Sequence, residues 1–476
     1  MNHNFNSSIL RAYDIRGIYD KTLFDKDAFY VGKSFASFLR KNNLKKISVA
    51  CDGRLSSPKL KSELIRGLFE SGLEVIDIGL GPTPMLYFSV YQLNCDAGIM
   101  VTGSHNPKDH NGFKMMLKNR PFFGDDILGL ANLAKSGDLI EGKGSVKQID
   151  VKNDYLERLL ADCILAESSS ALLDEVDEFI PKKKIKIAWD AGNGAAGEIM
   201  KELTKRISAD HFLLFEKIDG TFPNHHPDPT DAKNLQDLIK TVLDKNCDLG
   251  IAFDGDGDRI GVVANDGEII WGDQLMVFFA REILQEHKGA TIIADVKASN
   301  ILFEEIAKAG GVPLMGKTGH SLIKAKMKET NALLAGEMSG HIFFADKYFG
   351  FDDALYAAIR LINIVEKSAF SLGALKKSLP QTFSTPEIRI ECSDEKKFQI
   401  VEDLKISLKK SDINFDETDG IRASSNLGWW LIRASNTQAV LVARCESNSL
   451  QNLEKLKENL RQNLTFCGLK IPSELS

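Results

Sequence analysis

Ile47-Ser48-Val49-Ala50-Cys51-Asp52 is a short apolar run closed by an acid, and after Gly53-Arg54-Leu55 a helical pattern occupies 56–71. The run has strand length and β-branched residues, while Leu60, Leu64 and Leu68 recur with the four-residue spacing of a helix face. The same grammar returns at Ile185-Lys186-Ile187-Ala188-Trp189-Asp190 before 195–207, and at Ile292-Ile293-Ala294-Asp295 before 299–309. Strand, polar loop and helix, used three times, predict three related α/β domains with mixed sheets, near 1–150, 151–265 and 266–370. Their loops collect at the carboxyl ends of strands, where open α/β sheets bind ligands.

Residues 371–476 read differently. Segments 383–392, 428–434 and 438–445 are β-rich and 395–408 and 449–464 helical, which predicts a smaller C-terminal α+β domain, with Pro380 at a hinge.

A chain of 476 residues with 43% hydrophobic content exceeds one ordinary core. The net charge of -6 is spread over 60 basic and 66 acidic residues without a block of either sign, which argues against nucleic-acid binding. Met1 to Ser8 lacks the cationic start and apolar stretch of a secretory signal, and no apolar run reaches the roughly 18 residues of a membrane span. The expectation is a cytoplasmic protein with no membrane partner. Its seven cysteines are widely spaced with no Cys-x-x-Cys pair, which favours reduced, buried thiols over zinc or disulfides.

Four loops carry chemistry. Ala97-Gly98-Ile99-Met100-Val101 reads as a buried strand, and Pro107 blocks a helix after it, so Thr102-Gly103-Ser104-His105-Asn106-Pro107 puts Ser104 on a turn. His105 and Lys114 bring proton-handling or cationic groups beside that hydroxyl. In Asp254-Gly255-Asp256-Gly257-Asp258-Arg259 the carboxylates at alternate positions fold around one hard cation, Mg²⁺ by preference. A calcium-binding EF-hand would need glycine and glutamate where Arg259 and Asn265 stand. Three aspartates leave coordination positions open for a phosphate oxygen borne on Ser104, which predicts metal-assisted phosphoryl transfer.

In Gly336-Glu337-Met338-Ser339-Gly340-His341, Glu337 and Ser339 share a side if the loop is extended, a spacing suited to sugar hydroxyls. In Arg433-Ala434-Ser435-Asn436-Thr437 a guanidinium, two hydroxyls, an amide and turn N–H groups suit a phosphate dianion.

With these loops, and with Tyr13-Asp14-Ile15-Arg16-Gly17, Asn224-His225-His226-Pro227-Asp228-Pro229 and Gly316-Lys317-Thr318-Gly319-His320, the chain resembles the α-D-phosphohexomutase family over nearly its whole length. The likeness is greatest to the bacterial phosphomannomutase/phosphoglucomutase branch. It implies four domains around a central cleft, with Ser104 phosphorylated, Asp254, Asp256 and Asp258 as Mg²⁺ ligands together with Ser104, Glu337 and Ser339 on the sugar, and Arg433 to Thr437 on the distal phosphate. It also implicates Tyr13, Arg16, Lys114, Arg259, Lys297, His320 and His341 in substrate contact or proton transfer, with His341 and Lys114 as alternative bases.

The implied reaction passes the phosphoryl group of Ser104 to a hexose phosphate, giving a hexose 1,6-bisphosphate that turns end for end and returns its other phosphate. The bisphosphate also serves as activator, a mobile final domain assists the turn, and the product feeds nucleotide-sugar precursor synthesis. A monomer or weak dimer is implied. Thr102-Gly103 and Met338 favour mannose or glucose over the glucosamine phosphate of phosphoglucosamine mutases, while His110 and Gln438-Ala439 depart from the usual pattern. The competing readings are a metal-dependent sugar phosphatase and a non-catalytic sugar-phosphate-binding protein.

Overall fold

In the computed structural model, the described residues are 2–166, 184–410, 413–436 and 438–475. The opening stretch forms the strand Lys46–Cys51, flanked in parallel by Glu74–Leu80 and Ala97–Val101. Ala97–Val101 then turns back antiparallel onto His110–Leu117, which pairs with Ile15–Ile18 at the other end of a mixed seven-stranded sheet. The helix Ser57–Phe69 begins with Pro58 in its first turn, where a missing N–H costs nothing, and it buries Leu60, Leu64 and Leu68 completely.

The second and third units repeat this plan. Lys186–Asp190 lies parallel to Leu249–Phe253, which turns back antiparallel onto Ile260–Ala264. Thr291–Asp295 lies parallel to Leu334–Gly336, which turns back onto Ile342–Phe344. In each unit the strand that reverses lies next to the strand ending in aspartate. The Ser104, Asp254 and Glu337 loops are therefore the same structural object: the reversal after a parallel strand.

The fourth unit is a wholly antiparallel six-stranded sheet, and its fourth loop joins Gly428–Ala434 to Val440–Ser447. Here the sequence reading missed the strand Ile421–Ser425, whose Arg422, Ser424 and Ser425 break an apolar pattern. The segment 383–392 splits into Phe383–Ser384 and Ile388–Glu391, with Pro386, which has no N–H for a ladder, between them.

One apolar core runs through the first three units, from Met85 and Tyr87 through Trp189 and Phe253 to Phe279 and Phe344. The fourth unit has its own, centred on Leu404, Ile432, Leu441 and Leu460. Polar contacts dominate where it meets the third. Arg422 donates to the carbonyls of Val296 and Ala298 at 2.6 and 2.9 Å and lies 3.8 Å above the Trp429 ring. Glu446 accepts from the Ser299 hydroxyl, the Asn300 N–H and the Trp429 indole at 2.9–3.0 Å. Among the described residues no helix is long and apolar enough to cross a membrane. The seven cysteines are free thiols, five of them buried.

Candidate active site

The serine loop leaves the strand at Val101 and places Ser104 in left-handed backbone, φ +50°, with 1% of its surface exposed. Asp52, at the end of the neighbouring strand, accepts from the Thr102 hydroxyl at 2.8 Å and the Gly103 N–H at 3.1 Å. The Thr102 oxygen in turn accepts from the Ser104 N–H at 2.8 Å. Thus the acid that closes the opening stretch anchors the loop that bears Ser104. The Ser104 hydroxyl donates to Asp254 Oδ2 at 3.1 Å and lies 3.2 Å from His105 Nδ1.

Close approach of the acidic loop depends on Gly255, since a Cβ there would stand 2.4 Å from the Ser104 carbonyl oxygen. Asp254, Asp256 and Asp258 are fully buried, and one carboxylate oxygen from each lies within 4.8 Å of the others. Asp256 accepts from the Thr83 hydroxyl at 2.5 Å, and the Lys114 ammonium reaches Asp256 at 2.7 Å and Asp258 at 2.5 Å. Even so, Asp256 Oδ1 and Asp258 Oδ1 are buried without a hydrogen-bond partner. Burial and then Asp256 and Asp258 push the Asp254 carboxyl well above the usual range. Three buried carboxylates, two with unused oxygens and one resisting ionisation, fit a hard cation: the cluster can hold a metal.

Burial alone would lower the Lys114 pKa, but Asp256, Asp258 and Asp254 outweigh it and raise the group above its ordinary value. That direction is opposite to the lowered value a base at Lys114 would need. The other candidate is His341. Its Nε2 accepts from Arg259 Nε at 3.0 Å, which puts the ring proton on Nδ1, 3.1 Å from Asp352 and 3.6 Å from Asp258. Burial, with Lys324 adding to it, holds His320 well below the usual imidazole range, and burial with Arg259 and Arg16 does the same for His105, so both rings are neutral near pH 7.

Arg16 joins the cluster through Asn106 Oδ1 at 3.2 Å and pairs with Asp14 at 2.5 Å. His320 stacks on His341 with ring centroids 5.7 Å apart and presents an edge to Tyr13 at 6.2 Å, which links this cluster to a second one. In the second, the Tyr13 hydroxyl donates to the Thr318 carbonyl at 2.7 Å and accepts from the Asn436 amide. Arg433 Nε donates to Asp419 at 2.8 Å, and Lys297 pairs with Glu387 at 3.1 Å. Ser435 accepts from the Gln438 N–H at 3.2 Å, and Thr437 lies outside the described residues.

The segment holding Glu337 and Ser339 is not extended. Gly340 N–H bonds the Glu337 carbonyl at 3.0 Å and Glu337 N–H bonds that of His341 at 2.9 Å, closing a tight turn, so alternation gives no common face. Glu337 is buried, with Oε1 accepting from the Gly319 N–H at 2.6 Å, and Ser339 is half-buried on the turn. Sequence reasoning passed over Thr83, Asp352, Glu387 and Asp419, which belong to no run or motif. Asp52 was legible as the acid closing the opening strand.

A buried serine beside a metal-competent carboxylate cluster, faced by loops bearing arginine and lysine, is the equipment of a phosphoryl-transfer enzyme. Comparison with known proteins narrows the class. The α/β/α domains I, II and III described for phosphoglucomutase/phosphomannomutase match residues 7–138, 167–267 and 271–383, and the C-terminal domain of that family matches 387–463. Over 450 residues, 94% of this chain and 93% of the relative, it is 43% identical to a phosphomannomutase/phosphoglucomutase of Pseudomonas syringae pv. tomato. A phosphoglucomutase of Neisseria gonorrhoeae is 40% identical over 457 residues, 95% of this chain and 96% of the relative. The crystal structure of a phosphoglucomutase/phosphomannomutase family protein from Burkholderia thailandensis superposes with a TM-score of 0.90 at 40% identity, covering 98% of this chain and all of that one (100%). The chain belongs to the phosphoglucomutase/phosphomannomutase family of enzymes.

Proposed function

We propose that the protein interconverts hexose 1-phosphates and hexose 6-phosphates of mannose, glucose or both, through phosphorylated Ser104 and a hexose 1,6-bisphosphate. The observation that carries this reading is the 3.1 Å contact between the Ser104 hydroxyl and Asp254, within a carboxylate cluster that also holds the Lys114 ammonium. Mg²⁺ held by Asp254, Asp256, Asp258 and an oxygen on Ser104 would neutralise charge on the transferring phosphoryl group.

Lys114, held on Asp256 and Asp258, and Arg259, which follows Asp258, contribute positive charge beside the acidic loop. His341 is the proton acceptor for the attacking sugar hydroxyl, because its Nε2 accepts from Arg259 and becomes free once Arg259 turns to a phosphate. The Ser104 proton has two acceptors in reach on the return step, Asp254 and His105. Arg16, Arg259 and His320 border the reacting phosphate.

Arg433, Ser435, Asn436 and Thr437, with Lys297 and Tyr13, hold the phosphate that is not reacting. Arg433 and Lys297 rest on Asp419 and Glu387 here, so a dianion arriving between them competes with carboxylates for cations already in place. Glu337 and Ser339 address the sugar hydroxyls. The bisphosphate, once formed, turns over between the two clusters, and added hexose 1,6-bisphosphate activates the enzyme by phosphorylating Ser104. The free thiols suit a cytoplasmic enzyme.

The test follows mannose, glucose and glucosamine 1-phosphates with Mg²⁺ and the matching bisphosphate, in wild type and Ser104→Ala. Conversion to 6-phosphates that vanishes in Ser104→Ala supports the reading. Full activity without the serine refutes it, and inorganic phosphate released as fast as sugar is consumed would make the enzyme a phosphatase. A preference above about tenfold for glucosamine phosphate, roughly 1.4 kcal/mol, would move it to the phosphoglucosamine mutases.

A further inference from the structure

Beneath the serine loop lies a buried arginine to which neither the reaction nor the loop motifs assign a part. The Arg54 side chain is 0% exposed. Its Nη2 donates to the carbonyls of Ser104 and Asn106, both at 2.6 Å, and its Nη1 to those of Pro107 and His110 at 2.6 and 3.0 Å. Its Nε donates to Asp52 at 3.2 Å. A guanidinium has five N–H donors in a planar fork, and here five acceptors meet them.

We infer that Arg54 is a positioning residue for the nucleophile: it gathers the loop's carbonyls onto one planar cation and so fixes the direction of the Ser104 hydroxyl. The inference rests on the mutase reading above and adds to it the means by which the serine is aimed. Ser104 occupies left-handed backbone at φ +50°, which a non-glycine residue keeps only where surrounding contacts overdetermine it. Arg54 supplies those contacts from below while Thr102 holds the Ser104 N–H from the side. Gly103 lets the backbone lie flat on the guanidinium, as a Cβ there would come within 2.5 Å of Arg54 Cζ. The Phe222 ring of the second unit covers the cation, its centroid 5.2 Å from Cζ. With four of its carbonyls turned onto the guanidinium, the loop presents the hydroxyl to Asp254, and no backbone carbonyl of Ser104, Asn106, Pro107 or His110 competes for it.

Lysine retains the charge and the Asp52 partner but has only three donors on one atom, and cannot span four carbonyls. The experiment compares wild type with Arg54→Lys in steady-state mutase assays, with circular dichroism and thermal melting to establish folding. Intact-mass measurement of Ser104 phosphorylation by glucose 1,6-bisphosphate gives a second readout. The expected result is a folded Arg54→Lys protein whose kcat and rate of Ser104 phosphorylation fall about 100-fold, the scale of a misaimed reacting group, while KM stays within about threefold. An unchanged kcat overturns the inference, and so does a loss expressed in KM, which would make Arg54 a substrate-binding group. A variant that no longer folds also overturns it, because the residue would then serve stability alone. Wild type without mutase activity would instead sink the proposed function, so the two failures are distinguishable.

Discussion

The Lys114 ammonium lies 2.7 Å from Asp256 and 2.5 Å from Asp258, inside the carboxylate cluster that receives the Ser104 hydroxyl. The residue that offsets the acidic loop within the protein is thus also the one with which any added cation must share it. Removing it separates two effects that usually move together.

Lys114→Met is expected to bind Mg²⁺ or Mn²⁺ about tenfold more tightly, because a like charge leaves the site, and to turn over at least about 100-fold more slowly, because charge aimed at the transferring group is lost. Calorimetric titration and steady-state assays read the two separately. Weaker cation binding in the variant would contradict the account.

Asp254→Asn tests the cost of the cluster itself. In the folded, metal-free protein the Asp254 carboxyl is raised above its unfolded value of about 3.9, so its ionised form opposes folding at neutral pH and that opposition fades as pH falls through the raised value. The amide variant should therefore melt several degrees higher than wild type without metal at pH 8, with the gap narrowing toward pH 5. Adding Mg²⁺ should stabilise only wild type. Melting curves at both pH values, with and without metal, decide it.

Tyr13→Phe removes the hydroxyl that donates to Thr318 and accepts from Asn436. Two hydrogen bonds worth about 1 kcal/mol each tie the first, third and fourth units together at this point. The variant should lose roughly 5- to 30-fold in kcat/KM and show a larger radius of gyration by X-ray scattering without substrate. An unchanged scattering profile would remove the tyrosine from any closing role.

Arg422→Met should weaken the joint between third and fourth units. It takes the donor from the Val296 and Ala298 carbonyls and from Asn300, leaving buried acceptors unpaired at a cost of about 1–3 kcal/mol each. Scanning calorimetry should resolve an earlier transition for the C-terminal unit, with the main transition nearly unmoved.

Much of this was legible because the chain repeats itself. An apolar run ending in aspartate marks a strand's carboxyl end whatever follows, so Asp52, Asp190 and Asp295 located three sheets before any contact was seen. Alternating aspartates and glycines disclosed a carboxylate cluster able to hold a cation for a similar reason: the chemistry lies within five consecutive residues. What stayed hidden was produced by pairing across long separations. Lys114 meets carboxylates more than 140 positions away, and those partners, which no local pattern shows, raise its pKa where a base would need it lowered. The common side expected of Glu337 and Ser339 in extended chain is absent because a two-residue spacing has one meaning in a strand and another in a turn closed on His341. Arg422 concealed a strand because its side chain serves the joint between units rather than either face of an apolar pattern.

That the first three units share a core while the fourth keeps its own has a thermodynamic consequence. Prising apart any of the first three units would wet the shared interior and carry a large positive heat-capacity change, whereas swinging out the fourth wets mainly polar contacts and the small group of Val296, Trp429 and Leu431. Such a swing carries a small heat-capacity change, so its enthalpy stays nearly constant with temperature, and what it breaks are the contacts of Arg422 and Glu446 and the Lys297–Glu387 and Arg444–Asp273 pairs.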